Sequence, residues 1–332
     1  MNKPYFYYLP DNLIANTPST PRDHSKLLQI NRLTGKLFHH HFYDLPDLLN
    51  PTDVLVFNNT KVFPARLHGV KTTGGKVEVL LLKKLENDLW HVISHPGIKP
   101  GQIINFSSEV SAQVVTDHSL KLSAGSFQTL SKIGHTPLPP YIHSSQKEAV
   151  LRKQYQTVYA KSQGSAAAPT AGLHFTNRLL GQLEDRHIQT EFLTLHVGLG
   201  TFKPPTPDQL ASGHLHSEWF TLSSQTAARL NLAKSQGRRV IAVGTTTTRV
   251  LESCADTSGL LTPQSGETDI FIKPPYKFKF VDGLITNFHL PGSSLIMLVS
   301  AFSSWEIIQK AYQQAIAKNY RFYSFGDACL IT

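Results

Sequence analysis

The chain has 332 residues, of which 40% are hydrophobic and 17% are charged, so it can bury one large core or two ordinary ones and is not a disordered chain. Lysine and arginine number 32 against 23 aspartate and glutamate, a net charge of +9. This excess favours a polyanionic partner, nucleic acid first, although many basic enzymes have no such partner.

The two cysteines, Cys254 and Cys329, form no CxxC motif, which fits a reducing compartment without a disulfide framework. The first ten residues lack the apolar core of a signal peptide, and the longest apolar run, residues 295–302, is too short to span a bilayer. We therefore expect a cytoplasmic protein with no membrane association.

Residues 1–62 have an α/β pattern. A short helix is predicted from Asp44 to Leu49, and residues 53–57, an aspartate followed by four apolar residues, predict a buried strand. This strand ends at Asn58-Asn59-Thr60, where amides and a hydroxyl can bind a ligand. An asparagine-rich turn explains the same residues, and the sequence leaves both interpretations open.

From residue 65 to about residue 130, short alternating strands are separated by polar turns at roughly ten-residue spacing, which predicts a small antiparallel β-barrel or sandwich. The proline-rich segment 137–141 is a stiff connector. Residues 146–159 then read as a helix. We assign residues 65–149 to an inserted β-barrel domain plus connector.

Strands and helices alternate in the remainder of the chain. The sequence pattern predicts helices at 177–186, from the capping residue Ser223 to Gly237, from Gly244 through Glu252, and at 305–318. It predicts strands at 190–197, 239–243, 269–272 and 281–286. The alternation implies a sheet with helices on both faces, so residues 1–64 and 150–332 form a predicted three-layer α/β/α domain.

Two stretches combine small residues with histidine. The first is residues 164–176, GSAAAPTAGLHFT, which contains His174. In the second, His196 is followed by Gly198 and Gly200. Small residues let a ligand approach the backbone, so both stretches can line a pocket. A tight turn beside a hydrogen-bonded core histidine is the alternative for each of them.

Three further groups can carry chemistry. GTTTTR, residues 244–249, enters a helix and offers hydroxyls and Arg249 to a carboxylate, ribose or phosphate, unless it is only a hydroxyl-rich helix cap. His216 and Glu218 can form an acid–base pair or lie on the surface; a clear third metal ligand is missing. Asn287 and His289 follow a strand directly and suit a ligand loop.

The aromatic residues interleaved with Arg321 and Asp327 near the end of the chain can stack bases or form a packed terminal strand. No GxSxG, Walker or GxGxxG motif is present.

The sequence as a whole resembles one family, that of the S-adenosylmethionine:tRNA ribosyltransferase-isomerases of queuosine synthesis. The segments that carry the resemblance, in order, are NNTKVFPARL, GGKVEVLLL, HTPLPPYI, YQTVYA, GSAAAPTAGLHFT, TLHVGLGTFKP, HSEW, RVIAVGTTTTRVLES, TDIFIKPPY, VDGLITNFHLPGSSLIMLVSAF and YRFYSFGDACLI. They cover nearly the whole chain. Departures are small: Pro275 replaces a usual glycine, and Thr247-Thr248 replaces Ser-Val.

The resemblance implies a reaction in which S-adenosylmethionine donates a ribosyl group. The acceptor is the amine of 7-aminomethyl-7-deazaguanine in the wobble position of tRNA. The products are epoxyqueuosine-tRNA, adenine and methionine. The resemblance also implies an α/β domain with an inserted β-barrel. We expect a monomer and no metal.

This reaction needs a base for a C5′ proton beside the sulfonium, an acid at the departing adenine, and a neutral amine. We predict His174 or His196 at C5′, and Glu218 or His289 at the adenine or amine. The predicted catalytic set is His174, His196, His216, Glu218 and His289. The predicted cofactor-binding set is Thr170, Gly172, Gly198, Gly200, Thr245, Thr246, Thr247, Arg249, Asp282 and Asn287. The residues predicted to face the anticodon phosphates are Asn59, Lys61 and Arg66.

Two other functions are considered. An S-adenosylmethionine-dependent RNA methyltransferase should show a glycine-rich loop after its first strand, and none is found. A non-catalytic RNA-binding module should show clustered lysine and arginine, whereas here the basic residues are spread along the chain.

Overall fold

The computed structural model describes residues 4–198 and 205–332. The strands, in chain order, are β1 Lys26–Ile30, β2 Leu37–His41, β3 Val54–Asn58, β4 Thr60–Val62, β5 Arg66–Lys71, β6 Lys76–Lys84, β7 Leu89–His95, β8 Ile103–Asn105, β9 Ser111–Thr116, β10 Ser119–Leu122, β11 Ser162–Ser165, β12 Gln189–Leu195, β13 His214–Leu222, β14 Val240–Val243, β15 Gln264–Ile270, β16 Gly283–Asn287 and β17 Ala328–Ile331.

The α-helices are α1 Leu45–Leu48, α2 Phe127–Ile133, α3 Glu148–Gln154, α4 Asn177–Asp185, α5 Pro207–Ser212, α6 Ser224–Ser235, α7 Thr245–Cys254, α8 Ser294–Phe302 and α9 Trp305–Ala317. Short 3-10 helices cover Asp11–Leu13, Arg22–His24, Phe42–Asp44, Glu86–Asp88 and Thr170–His174. In this part of the chain no helix is long and apolar enough to cross a membrane.

A nine-stranded mixed sheet organises the larger part of the described chain. Its strand order is β15-β13-β12-β3-β14-β16-β17-β1-β2. The four central strands β12, β3, β14 and β16 are mutually parallel. Their carboxyl ends therefore lie at one edge of the sheet, where α/β proteins bind ligands.

Alternation along the strands builds a core on each face of this sheet. Val54 and Val56 pack with helices α6 to α9, whereas Leu55 and Phe57 pack with α1, α4 and the 3-10 helix Thr170–His174. Successive strand side chains point to opposite faces, so a strand of apolar residues needs a helical layer on both sides. This arrangement confirms the predicted three-layer α/β/α architecture.

Strands β5 to β10 close into an antiparallel barrel with the order β10-β7-β6-β5-β8-β9. Its interior is filled by a separate cluster that includes Leu67, Val79, Trp90 and Leu120. The predicted barrel is confirmed as a structure, while the exact domain limits at residues 65 and 149 stay a prediction.

Several predicted elements differ from those observed. The helix predicted over 146–159 ends at Gln154, because Tyr155 leaves helical geometry and buries its ring against Phe325. The strand predicted at 269–272 corresponds to β15, which begins and ends earlier in the chain, at Gln264 and Ile270, and pairs with β13. The predicted cap is present, since Ser223 Oγ accepts from the Thr226 N–H.

Candidate functional site

One buried amide joins three elements at the carboxyl edge of the sheet. Asn58, the last residue of β3, accepts at Oδ1 from the Leu195 N–H at 3.0 Å and from the Thr60 N–H at 3.1 Å. Its Nδ2 donates to the Leu195 carbonyl at 3.0 Å and to Thr246 Oγ1 at 3.3 Å. The ends of β3 and β12 and the start of α7 are thus held together by one side chain.

The first turn of α7 faces the same edge. Gly244 precedes it with φ +95°, and no side chain caps the helix within the described chain. The free N–H groups of a helix start attract anions. A Cβ on Gly244 would lie 3.7 Å from Ala171 Cβ, so the 3-10 helix Thr170–His174 packs directly over this turn.

The threonines of the GTTTTR segment have different surroundings. The Thr247 hydroxyl is buried and donates to the Val243 carbonyl at 2.8 Å, and the Thr248 hydroxyl donates to the Gly244 carbonyl at 3.2 Å. Both hydroxyls donate to backbone carbonyls, so the geometry does not support the predicted contact between Thr247 and the cofactor. Thr245 lies buried at the first position, and half-buried Thr246 faces Asn58.

Asn287 lies at the end of β16, on the other side of β14 from Asn58. Its Nδ2 donates to the Tyr323 carbonyl at 3.1 Å. Its Oδ1 is buried and has no hydrogen-bond partner among the described residues. Because a buried carbonyl without a partner is costly, this oxygen is suited to accept from a ligand.

Glu218 on β13 and Arg249 on α7 form a buried ion pair. Glu218 Oε1 also accepts from the Gly198 N–H at 2.8 Å. Arg249 donates in addition to the carbonyls of Thr268 and Ile270, each at 3.3 Å. The guanidinium is therefore occupied in fixing Glu218, which does not fit the predicted role of Arg249 in holding a ligand carboxylate.

His196 is half-buried and forms a hydrogen-bonded group with Asn58, Thr60 and Thr246, which we call the cluster. Its Nδ1 lies 2.7 Å from Thr60 Oγ1, and its ring stacks on Trp219 at 4.9 Å. A Cβ on Gly164 would lie 2.6 Å from Nε2, so this glycine lets the imidazole pack against the backbone, and Nε2 has no hydrogen-bond partner among the described residues. Burial lowers the pKa of His196 to about 4, so the ring is neutral near pH 7.

Thr60 fixes the proton position on the His196 ring. The Thr60 hydroxyl can donate to the Ser162 carbonyl at 3.4 Å, which leaves its oxygen to accept from Nδ1–H. The lone pair then lies on Nε2, which accepts no hydrogen bond from the described residues. The ring is arranged as a base.

His174 is a packed core histidine, the alternative that the sequence left open. Its Nδ1 lies 2.7 Å from Ser25 Oγ and its Nε2 lies 3.2 Å from Asn287 Nδ2. Its ring stacks on Phe42, and burial lowers its pKa to about 3, with Arg321 and Arg22 adding to the effect. Both ring nitrogens are engaged, which argues against the predicted proton transfer at His174.

His289 is also buried. Its ring Nε2 lies 2.8 Å from Thr286 Oγ1, and its backbone N–H donates to the Tyr312 hydroxyl at 3.0 Å. Burial lowers the pKa of the imidazole to about 3. His289 and His174 thus belong to the packing around the end of β16, and His196 is the better-placed imidazole.

Several predicted residues lie apart from the cluster. Asp282 precedes β16, at the amino end of the strand, where it pairs with Lys234 at 2.8 Å and accepts from the Val240 N–H. It lies at the wrong edge of the sheet for the predicted cofactor contact. The sequence shows that Asp282 adjoins a strand, but not at which edge of the sheet it lies.

The predicted glycines serve different purposes. A Cβ on Gly172 would lie 1.9 Å from the Tyr159 hydroxyl, so this glycine is required by close packing. Gly198 donates its N–H to Glu218, and half-buried Thr170 begins the 3-10 helix. Gly200 lies outside the described residues.

His216 is half-buried on β13, and its side chain makes no hydrogen bond to the described residues. Its neighbour His214 pairs with Asp269 at 2.9 Å on the surface. No group of three or more histidine, cysteine, aspartate or glutamate side chains in residues 4–198 and 205–332 could hold a metal ion.

The three residues predicted to face RNA differ in their exposure and in their hydrogen-bond partners. Lys61 is exposed beside the cluster. Asn59 accepts at Oδ1 from the Thr194 hydroxyl at 2.7 Å. Arg66 forms an ion pair with Glu78 and donates to the Leu138 carbonyl at 2.8 Å. Its guanidinium is therefore paired within the protein, which does not favour the predicted contact with an RNA phosphate.

From the NNT motif, the predicted site set included Asn59 and left out Asn58 and Thr60, whose side chains bond to Leu195, Thr246 and His196. Asn58 and Thr60 are separated by two positions, which places their side chains on one face, while Asn59 points away. Applying this alternation to the NNT motif would have identified both.

Comparison with known proteins agrees with this description. The model of the family described as "Queuosine biosynthesis protein" matches residues 2–331. S-adenosylmethionine:tRNA ribosyltransferase-isomerase from Carboxydothermus hydrogenoformans is 48% identical, over 99% of each chain. The crystal structure of S-adenosylmethionine tRNA ribosyltransferase from Thermotoga maritima is 33% identical, covers 99% of each chain and superposes with a TM-score of 0.57.

The buried histidines predict a pH-dependent stability. Their pKa of about 3 in the folded chain lies below the ordinary value near 6.5, so folding opposes protonation. Their contribution is complete above about pH 6.5 and is lost as the pH falls toward 3. By pH 5 each ring costs roughly 2 kcal/mol of unfolding free energy. Urea unfolding at pH 7.5 and pH 5.0 measures this loss.

His174→Asn and His289→Asn should each reduce the pH dependence, whereas His118→Asn, at an exposed position on the barrel, should keep it. If both variants at buried positions retain the full wild-type loss, the burial argument is wrong.

Proposed function

The chain belongs to the queuosine biosynthesis protein family, and from this membership we propose that it catalyses S-adenosylmethionine:tRNA ribosyl transfer with isomerisation. The acceptor is 7-aminomethyl-7-deazaguanine in the wobble position of tRNA, and the products are epoxyqueuosine-tRNA, adenine and methionine. The observation that carries the proposal is the 48% identity to a relative of that name over 99% of both chains. The methyltransferase alternative is not favoured, because the relatives are named for ribosyl transfer.

The proposed enzyme is a cytoplasmic monomer that takes S-adenosylmethionine as its co-substrate and uses no metal. The net charge of +9 suits an RNA partner. Lys61 is exposed next to the cluster and is the best-placed of the three predicted residues for an anticodon phosphate, with Asn59 beside it.

The proposed site for S-adenosylmethionine is the edge of the sheet between Asn58 and Asn287. Its methionine carboxylate suits the first turn of α7, with Thr245 and Thr246 nearby. Asn287 Oδ1 suits a hydroxyl or amino donor, because it is buried without a partner in the described ranges. These contacts would orient the sulfonium nucleoside.

His196 is the proposed base for the C5′ proton. The positive sulfur acidifies the protons on the neighbouring carbon, and a neutral imidazole with an available Nε2 can remove one. Glu218 is the proposed second proton-handling group, at the adenine or the amine. Arg249 and the Gly198 N–H hold its carboxylate in one orientation.

The proposed reaction predicts a product that mass spectrometry identifies. tRNA carrying 7-aminomethyl-7-deazaguanine is incubated with the protein and S-adenosylmethionine labelled with carbon-13 either in the ribose or in the methyl group. Ribose label should enter the tRNA nucleoside, with free adenine and methionine released. Methyl label in the tRNA would instead indicate a methyltransferase, and no change in tRNA mass would leave only a binding module.

The site geometry predicts which histidine matters. His196→Ala should lower kcat by roughly 10²- to 10⁴-fold, the usual loss for a general base. Thr60→Val should cause a smaller loss that Thr60→Ser restores, because a hydroxyl is enough to fix the tautomer. The measurement is adenine release per folded enzyme.

His174→Asn should retain most of the turnover of correctly folded protein, since His174 is engaged in packing. Wild-type turnover in His196→Ala would refute the assignment of the base, and a complete loss in folded His174→Asn would transfer it to His174.

A further inference from the structure

The described N-terminal segment lies along the loop that follows β16. The Gly292 N–H donates to the Tyr5 carbonyl at 2.9 Å, and the Tyr7 hydroxyl donates to the His289 carbonyl. These bonds tie residues 5–7 to the loop 289–293. The segment is therefore held at the carboxyl edge of the sheet, where Asn287 ends β16.

Aromatic rings alternate along this segment. Tyr5 and Tyr7 point inward, with ring centroids 5.5 Å from Trp305 and 5.1 Å from Tyr312. Phe6 and Tyr8 point outward, with 50% and 84% of their surface exposed. We refer to Phe6 and Tyr8 as the outward rings.

The loop below this segment supports Phe6, one of the two outward rings. A Cβ on Gly292 would lie 2.5 Å from the Phe6 ring, and Gly292 has φ +69°. A glycine at this position lets the ring lie directly on the backbone. Leu290, 37% exposed in the same loop, extends the apolar surface.

Exposed, supported aromatic rings are how proteins hold unpaired bases, because every base has a flat face that stacks. We propose that Phe6 and Tyr8 form a stacking platform for the unpaired bases that flank the modified nucleotide of the tRNA anticodon loop. This inference rests on the proposed function, and it names the surface that receives the RNA.

RNA fits this surface better than a second copy of the chain. Two rings and one leucine offer far less area than the roughly 800 Å² per partner of a stable protein interface. Two copies would each carry a net charge of +9 and repel one another, whereas RNA is attracted.

The test uses an anticodon stem–loop with 2-aminopurine beside the wobble nucleotide, titrated with full-length protein without S-adenosylmethionine. Stacking should quench the fluorescence with wild-type protein. Tyr8→Ala should remove most of the quenching and weaken binding about tenfold. Tyr8→Trp should restore both, because it keeps a flat ring. Phe38→Ala is the matched control, a half-exposed aromatic on the edge strand β2.

Steady-state kinetics separate stacking from a general loss of structure. Tyr8→Ala should raise the KM for tRNA about tenfold and leave kcat and the KM for S-adenosylmethionine unchanged. Unchanged quenching and affinity in Tyr8→Ala would overturn the proposal. So would a wild-type dimer in sedimentation velocity that Tyr8→Ala dissociates without altering RNA affinity.

Failure of the proposed function would show differently. Wild-type protein would then release no adenine with any tRNA, whereas the stacking measurement needs no turnover and is judged by quenching alone.

Discussion

The buried amide of Asn58 is the constraint on which the site depends. It makes four hydrogen bonds, two to the backbone of Leu195, one to the Thr60 N–H and one to Thr246. A buried amide with fewer partners would be costly, so the three elements it joins are fixed relative to one another. Because His196 follows Leu195 and bonds to Thr60, the position of the imidazole follows from the same amide.

Hydrogen bonding distinguishes two histidines that the sequence shows as similar. His174 and His196 both stand among small residues, and both have lowered pKa values because of burial. Among the described residues, His196 uses only Nδ1 in a hydrogen bond and keeps Nε2 without a partner, while His174 uses both nitrogens within the core. The small residues around His174 serve close packing instead, as Gly172 does beneath Tyr159.

Much of the fold could be predicted from the sequence because its signals are local. Apolar runs such as 54–57 and 240–243 identify buried parallel strands, and turn spacing identifies the barrel. The candidate site was harder to predict from the sequence, because its main contacts join residues that are far apart in the chain. Arg249 meets Glu218 across 31 residues, and no local pattern distinguishes an arginine that binds a ligand from one that fixes a carboxylate.

Strand direction limited the prediction in a second way. Asp282 and Asn287 flank the same strand, and both looked suitable as ligands. Only the residue after a parallel strand reaches the binding edge, so Asn287 lies at the site and Asp282 at the opposite edge. The resemblance to a family supplied the reaction, and the positions of the residues in the fold support the proposal of which ones serve it.

Hydrogen–deuterium exchange on addition of S-adenosylmethionine tests the location of the site most directly. The first N–H groups of α7 have no partner within the helix, so a ligand bound there should slow their exchange. We predict protection in peptides covering 58–62, 195–198 and 244–248, with no change around Lys234 and Asp282. Protection around Lys234 and Asp282, with none at 244–248, would contradict a site at the carboxyl edge.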